Sequence, residues 1–122
     1  MSGYRKERLE KMIHMIIGDS LLKDIKDPRI GFVTVTEVEL NKDKSLATVH
    51  VSIMGDDRTK QKTMTGLNSA KGFLQYAIGK NIQMRNTPRI RFIIDTSIEE
   101  ASEMVNRLNN LEEERKERVE EE

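Results

Sequence analysis

The stretch from residue 32 to residue 53 constrains this chain more than any other. Two runs rich in β-branched side chains, 32–40 and 46–53, flank the polar stretch Asn41-Lys42-Asp43-Lys44-Ser45. Runs of that length and composition favour strands. A short polar connection then folds them into an antiparallel hairpin. In the second run Ala47, Val49, Val51 and Ile53 take one face, and Thr48, His50 and Ser52 take the other. The first run slips phase, because Val33 and Val35 share a parity that Val38 and Leu40 do not. A bulge near Thr36 or Glu37 reconciles the two halves. A lone hairpin is marginal in water, so other segments must cover its apolar face.

Those segments are helical. Over residues 4–22, Leu9, Met12, Ile13, Ile16, Ile17 and Leu21 form a stripe at three- and four-residue spacing, opposite Arg5, Arg8, Lys11 and Asp19. Asp27-Pro28 closes the helix, since a residue before proline is driven out of the helical region. Gly55-Asp56-Asp57 breaks the second strand and offers a cap for the next helix. Residues 58–80 carry a stripe of Met64, Leu67, Leu74, Ala77 and Ile78, interrupted by Gly66 and Gly72. Each glycine costs about 1 kcal/mol relative to alanine in a helix interior, so a bent or broken helix is expected. At the bend, Gly72 is expected to need its missing Cβ.

Thr87-Pro88 opens a third strand, with Ile90, Phe92 and Ile94 on one face and Arg89, Arg91 and Ile93 on the other. A capping box follows, in which Ser97 accepts from the first helical turn and Glu100 reaches back. The final stripe is Ala101, Met104, Val105, Leu108 and Leu111. The expected architecture is α+β in the order α-β-β-α(kinked)-β-α. A three-stranded sheet carries helices on one face that bury the apolar sides of all of them. Residues 1–111 form a single domain. Residues 112–122 form a charged tail, expected as frayed helix or disorder.

Net charge is zero over the 122 residues, but it is unevenly placed. Residues 1–95 hold 17 basic and 11 acidic side chains, a net of +6, and residues 96–122 hold 4 and 10, a net of −6. From residue 58 to residue 94 there are eight basic side chains and no carboxylate: Arg58, Lys60, Lys62, Lys71, Lys80, Arg85, Arg89 and Arg91. Such a stretch points to a polyanionic partner.

Little else carries chemistry. The chain has no cysteine, which removes disulfides, thiolate metal sites and cysteine nucleophiles. Its two histidines, His14 and His50, lack metal-ligand spacing, and no metal or cofactor is expected. No phosphate-binding glycine loop and no Gly-x-Ser-x-Gly are present, so an enzyme is not expected. The seven methionines fall mostly on apolar stripes as core filler. No apolar run approaches the ~20 residues of a membrane span. The N-terminal stretch lacks the apolar segment of a signal peptide. A cytoplasmic protein without membrane contact is the expectation.

The element order resembles a KH-type RNA-binding domain. That clamp uses a Gly-x-x-Gly loop between two helices. Here the residues three after Gly55, Gly66, Gly72 and Gly79 are Arg58, Ser69, Gln75 and Ile82, so the loop is missing. Ser69-Ala70-Lys71-Gly72 stands at the junction instead.

Several fragments in order resemble the ribosome-binding factor A family. They are Arg5-Lys6-Glu7-Arg8-Leu9, Asp27-Pro28-Arg29-Ile30, Phe32-Val33-Thr34-Val35-Thr36-Glu37-Val38-Glu39 and Leu46-Ala47-Thr48-Val49-His50-Val51-Ser52. Ala70-Lys71-Gly72 is similar to the family's Ala-x-Gly helix kink, which replaces the KH loop. Thr87-Pro88-Arg89-Ile90-Arg91-Phe92 through Asp95-Thr96-Ser97 is similar to its third strand and exit. The similarity spans roughly residues 4–111. Arg89 departs from it, standing where the family usually has an acidic or neutral residue.

The resemblance implies a KH-like fold of the second type and a small-subunit assembly factor. Such a factor binds free, immature small subunits through their ribosomal RNA. It assists late RNA maturation and processing, notably in the cold, and dissociates before translation. On this reading the chain is a monomer without catalytic activity. The RNA-binding candidates are Arg5, Arg8, Arg29, Lys62, Lys71, Lys80, Arg85, Arg89 and Arg91. Two faces stay open: the outer sheet face (Thr34, Thr48, His50, Ser52, Arg91) and the broken-helix side (Lys62, Lys71, Lys80). The alternatives are a protein-binding adaptor or homodimer using the last helix, and a nuclease. A nuclease needs clustered carboxylates that the basic stretch lacks.

Overall fold

The computed structural model describes residues 2–121, with side chains for 5–97 and 99–113. The elements are α1 (Ser2–Lys23), β1 (Val33–Leu40), β2 (Leu46–Ile53), α2 (Asp57–Ser69), α3 (Lys71–Asn81), β3 (Arg89–Ile94) and α4 (Ser97–Glu121). One sheet has the order β1-β2-β3. β1 and β2 pair antiparallel through the short turn, and β2 and β3 pair parallel. A parallel pair requires a long crossover, and α2 and α3 provide it.

The register of β1 explains its broken alternation. Val35 faces Val51 and Glu37 faces His50, so Thr36 has no partner across the ladder. This bulge brings Val35, Val38 and Leu40 onto the same buried face. The freed Thr36 hydroxyl donates to the carbonyl of His50 at 3.3 Å and to the carboxylate of Asp95 at 2.7 Å.

The core lies between the inner sheet face and α1, α2 and α3. Leu9, Ile13 and Ile17 descend from α1 at four-residue spacing, Leu67 comes from α2, and Leu74 and Ile78 come from α3. They meet Ala47, Val49, Val51 and Ile53 of β2 and Ile90 and Phe92 of β3. Full burial of side chains this size contributes about 1.5–3 kcal/mol each. Glu10 of α1 also accepts the Leu40 N–H at 2.7 Å, satisfying a donor on the free edge of β1.

The long helix of the basic stretch is broken at one residue. Asp56 opens α2 by accepting the Thr59 N–H at 2.8 Å. Ala70, with φ −85° and ψ −4°, ends α2 and precedes α3. Gly72 is not what the break depends on, contrary to the sequence expectation. A Cβ built there meets nothing within 4 Å. Of the two glycines that interrupt the stripe, Gly66 is the one that close packing demands, since a Cβ there would lie 2.7 Å from Cγ1 of Ile30.

α4 departs from expectation in two ways. Its start is shifted: Thr96 donates its hydroxyl to the Glu100 carboxylate at 2.9 Å, and Asp95 accepts the Ser97 N–H. Ser97 is thus not the capping side chain. Nor does the helix add its stripe to the core, since Met104, Val105, Leu108 and Leu111 are each more than half exposed. The inner sheet face is covered by α1–α3, whose apolar side chains pack on the fully buried Ala47, Val49 and Val51. Lys60 of α2 pairs with Glu99 at 2.8 Å and ties the first turn of α4 to the body. The backbone is helical through Glu121. The tail side chains from residue 114 onward lie outside the described residues.

Candidate nucleic-acid interface

The turn between β1 and β2 builds one wall of an open notch. Asn41 accepts the Leu46 N–H through its side chain at 3.0 Å, and Asp43 accepts from the backbone and hydroxyl of Ser45. This network holds Lys44 in the left-handed region at φ 61°. A non-glycine residue there is uncommon and persists when its surroundings fix it. The opposite wall comes from the start of α1 and the loop after α3. Arg5, Leu9, Asp43, Lys44, Ser45 and Arg85 line the notch together with the 83–86 loop. Its volume is about 530 Å³, within the ~300–1,000 Å³ range typical of ligand clefts.

Three basic side chains from distant parts of the sequence therefore share one concavity: Arg5, Lys44 and Arg85. Asp43 is the single acidic member. The Ser45 hydroxyl and N–H hold its carboxyl below the usual carboxylate range. Arg89 joins the same end of the sheet, donating its N–H to the Ser45 carbonyl. Sequence reasoning missed Lys44, because a turn lysine has no periodicity to mark it.

The other candidates lie elsewhere. Arg8 is exposed one turn beyond Arg5 on α1. Lys62 is exposed on α2, Lys71 is half-buried at the start of α3, and Lys80 is exposed at its end. Arg91 projects from the outer sheet face and donates to the Thr48 hydroxyl at 3.1 Å. Arg29 is committed locally. Its guanidinium chelates Asp27, with contacts of 2.6 and 3.0 Å. Hydrogen bonds from that side chain and from the Arg29 N–H hold the Asp27 carboxyl down at about 2.

The outer sheet face also carries negative charge that the sequence alone did not place. The bulge puts Glu37 and Glu39 on the same face as His50, with ligand atoms of the three within 4.8 Å of one another. His50 Nε2 lies 3.6 Å from Glu39, too far for a hydrogen bond. Two exposed carboxylates beside Thr36 and Asp95 make the β1 side of this face repel phosphate.

Among the described residues, no helix is long and apolar enough to cross a membrane. Comparison with known proteins places the fold in a family. The chain is 46% identical over 99 residues to a ribosome-binding factor A from Natranaerobius thermophilus, covering 81% of this chain and 76% of that one. The crystal structure of ribosome-binding factor A from Thermus thermophilus superposes with a TM-score of 0.66 at 27% identity, over 73% of this chain and 93% of that one. A Thermus thermophilus homology model fitted into a cryo-EM map of its complex with the 30S particle superposes at 0.60, with 26% identity over 73% of this chain and 93% of that one. Residues 5–108, from Arg5 of the notch to Leu108 of α4, match the ribosome-binding factor A family, and the chain belongs to it.

Proposed function

We propose that this protein binds the immature small ribosomal subunit by its ribosomal RNA, assists late maturation and processing of that RNA, notably in the cold, and leaves before translation begins. The observation that carries this reading is the convergence of Arg5, Lys44 and Arg85 on one open notch, with Arg89 beside it. Phosphate contacts of this kind position a protein on a nucleic acid without reading its sequence. The relative's complex with the 30S particle supports the choice of subunit. The role is that of a cytoplasmic, monomeric binding factor rather than an enzyme, and none of its steps requires a metal or cofactor. The notch end is favoured over the outer sheet face, because Glu37 and Glu39 oppose phosphate there.

Co-sedimentation tests the proposal. The protein should travel with free small subunits and be depleted from large subunits and translating ribosomes. Cells lacking it should accumulate immature small-subunit RNA when grown cold. Equal occupancy of large and small subunits would overturn the assignment.

The exposed stripe on α4 favours a second reading, contact with a protein. Concentration-dependent dimerisation without RNA, abolished by Leu108→Ser, would support it.

A further inference from the structure

Phe73 and Tyr76 are 44% and 65% exposed on α3. They are two of only five aromatic side chains in the chain. The same helix buries Leu74 and Ile78 completely. At 100° per residue, Phe73, Tyr76 and Lys80 fall within about 60° of one another and nearly opposite the Leu74–Ile78 face. The aromatics are thus not core residues that failed to bury. They form a stripe on the side of α3 away from the core, with Tyr76 opposite it and Phe73 at the flank, and an exposed lysine follows one turn after Tyr76.

Single exposed apolar residues need no explanation. An aromatic pair aligned with a lysine, in a 37-residue stretch without a carboxylate, is a different case. Burial does not select it and charge solvation does not require it. Proteins that hold single-stranded nucleic acid combine these ingredients: aromatic faces on which bases stack, and cations that track the backbone. An acid-free helix face also offers nothing to repel phosphate.

We propose that the outer face of α3 is a base-stacking platform, on which Phe73 and Tyr76 take unpaired nucleotides of RNA while Lys80 meets the adjoining phosphate. This rests on the RNA-binding reading above and adds to it a ligand class, single-stranded rather than duplex RNA. Every base has a π-face, so the platform tolerates many sequences.

The chain has no tryptophan, and its tyrosines are Tyr4 and Tyr76. Full-length protein carrying Tyr4→Phe therefore reports on Tyr76 alone by fluorescence. The probes are a single-stranded RNA 12-mer and a duplex of the same sequence. The 12-mer should quench Tyr76. Phe73→Ala and Tyr76→Ala should each weaken its binding about 5-fold or more, while Tyr76→Phe retains it. Duplex affinity and the salt slope should not move, because stacking neutralises no phosphate, and the melting temperature should hold in Tyr76→Ala, whose side chain is mostly exposed. Lys80→Gln should lower the salt slope for the 12-mer.

Absence of quenching, or unchanged 12-mer affinity in both alanine variants, overturns the platform. So does an equal loss on duplex. Loss on intact small subunits with none on naked RNA overturns it in favour of a protein contact. If the parent protein binds neither RNA nor small subunits, the RNA-binding reading itself fails and takes the platform with it.

Discussion

The hydroxyl of Thr36, the residue left unpaired by the β1 bulge, donates a 2.7 Å hydrogen bond to the carboxylate of Asp95, the residue that follows β3. One short contact thus joins the two outer strands across β2. Asp95 also donates its N–H to the Val51 carbonyl at 2.7 Å and accepts the Ser97 N–H at the start of α4.

This contact predicts an acid-sensitive fold. Hydrogen bonds from Thr36, and then from Ser97, hold the Asp95 carboxyl at about 2, below its ordinary 3.8. The unfolded chain takes up that proton first, so the stabilisation is complete above about pH 4 and drains away as pH falls towards 2. Asp27, also held at about 2 by Arg29, acts in the same direction. Asp95→Asn should lower the melting temperature at pH 7 and flatten its decline between about pH 4 and 2. Denaturation curves at several pH values check this, and an unchanged slope would refute it.

Gly66 and Gly72 should behave oppositely. Gly66→Ala places a Cβ 2.7 Å from Cγ1 of Ile30. Overpacking of this kind costs about 1–3 kcal/mol, partly offset by up to ~1 kcal/mol of helix propensity. Gly72→Ala meets no atom within 4 Å, so it should be neutral or stabilise by up to about 1 kcal/mol. Urea denaturation of both variants measures the difference.

Removal of residues 112–122 should leave the fold intact. The segment carries seven glutamates against three basic residues, a net of −4. In sequence it follows Leu111, the last member of the α4 stripe, which is itself exposed. RNA affinity should hold or rise, since less negative charge approaches phosphate. A marked drop in melting temperature would show that the segment packs.

Charge variants should separate by location. Arg5→Gln and Arg85→Gln each remove a notch cation, and each should lower the slope of log affinity against log salt by about 0.7–0.9. Arg29→Gln should change that slope less, because Asp27 already neutralises Arg29. Lys71→Glu should melt normally and weaken RNA binding. RNA titrations at several salt concentrations, with parallel melts, rank the four.

Local pattern alone determined much of this protein. Side-chain period is a property of the backbone, so the strand pair, the helical stripes of α1 and α3 and the third strand were legible from which residues repeat every two or every three to four positions. The bulge was legible too, since a phase slip between Val35 and Val38 has few other remedies. The acid-free stretch signalled a polyanion before any fold was known. Only the tertiary structure decided where those elements lie. Arg5, Lys44 and Arg85 meet because a parallel β2–β3 pairing carries the loop after α3 back to the β1–β2 turn. No spacing along the chain encodes that meeting. Arg29 looked like its fellow cations until Asp27 was seen chelating it. The α4 stripe reads in sequence as a core helix, yet it is exposed because α1, α2 and α3 already fill the one apolar face the sheet offers. Amphipathicity states that a face can be buried. Whether it is buried depends on how much complementary surface the rest of the fold leaves free.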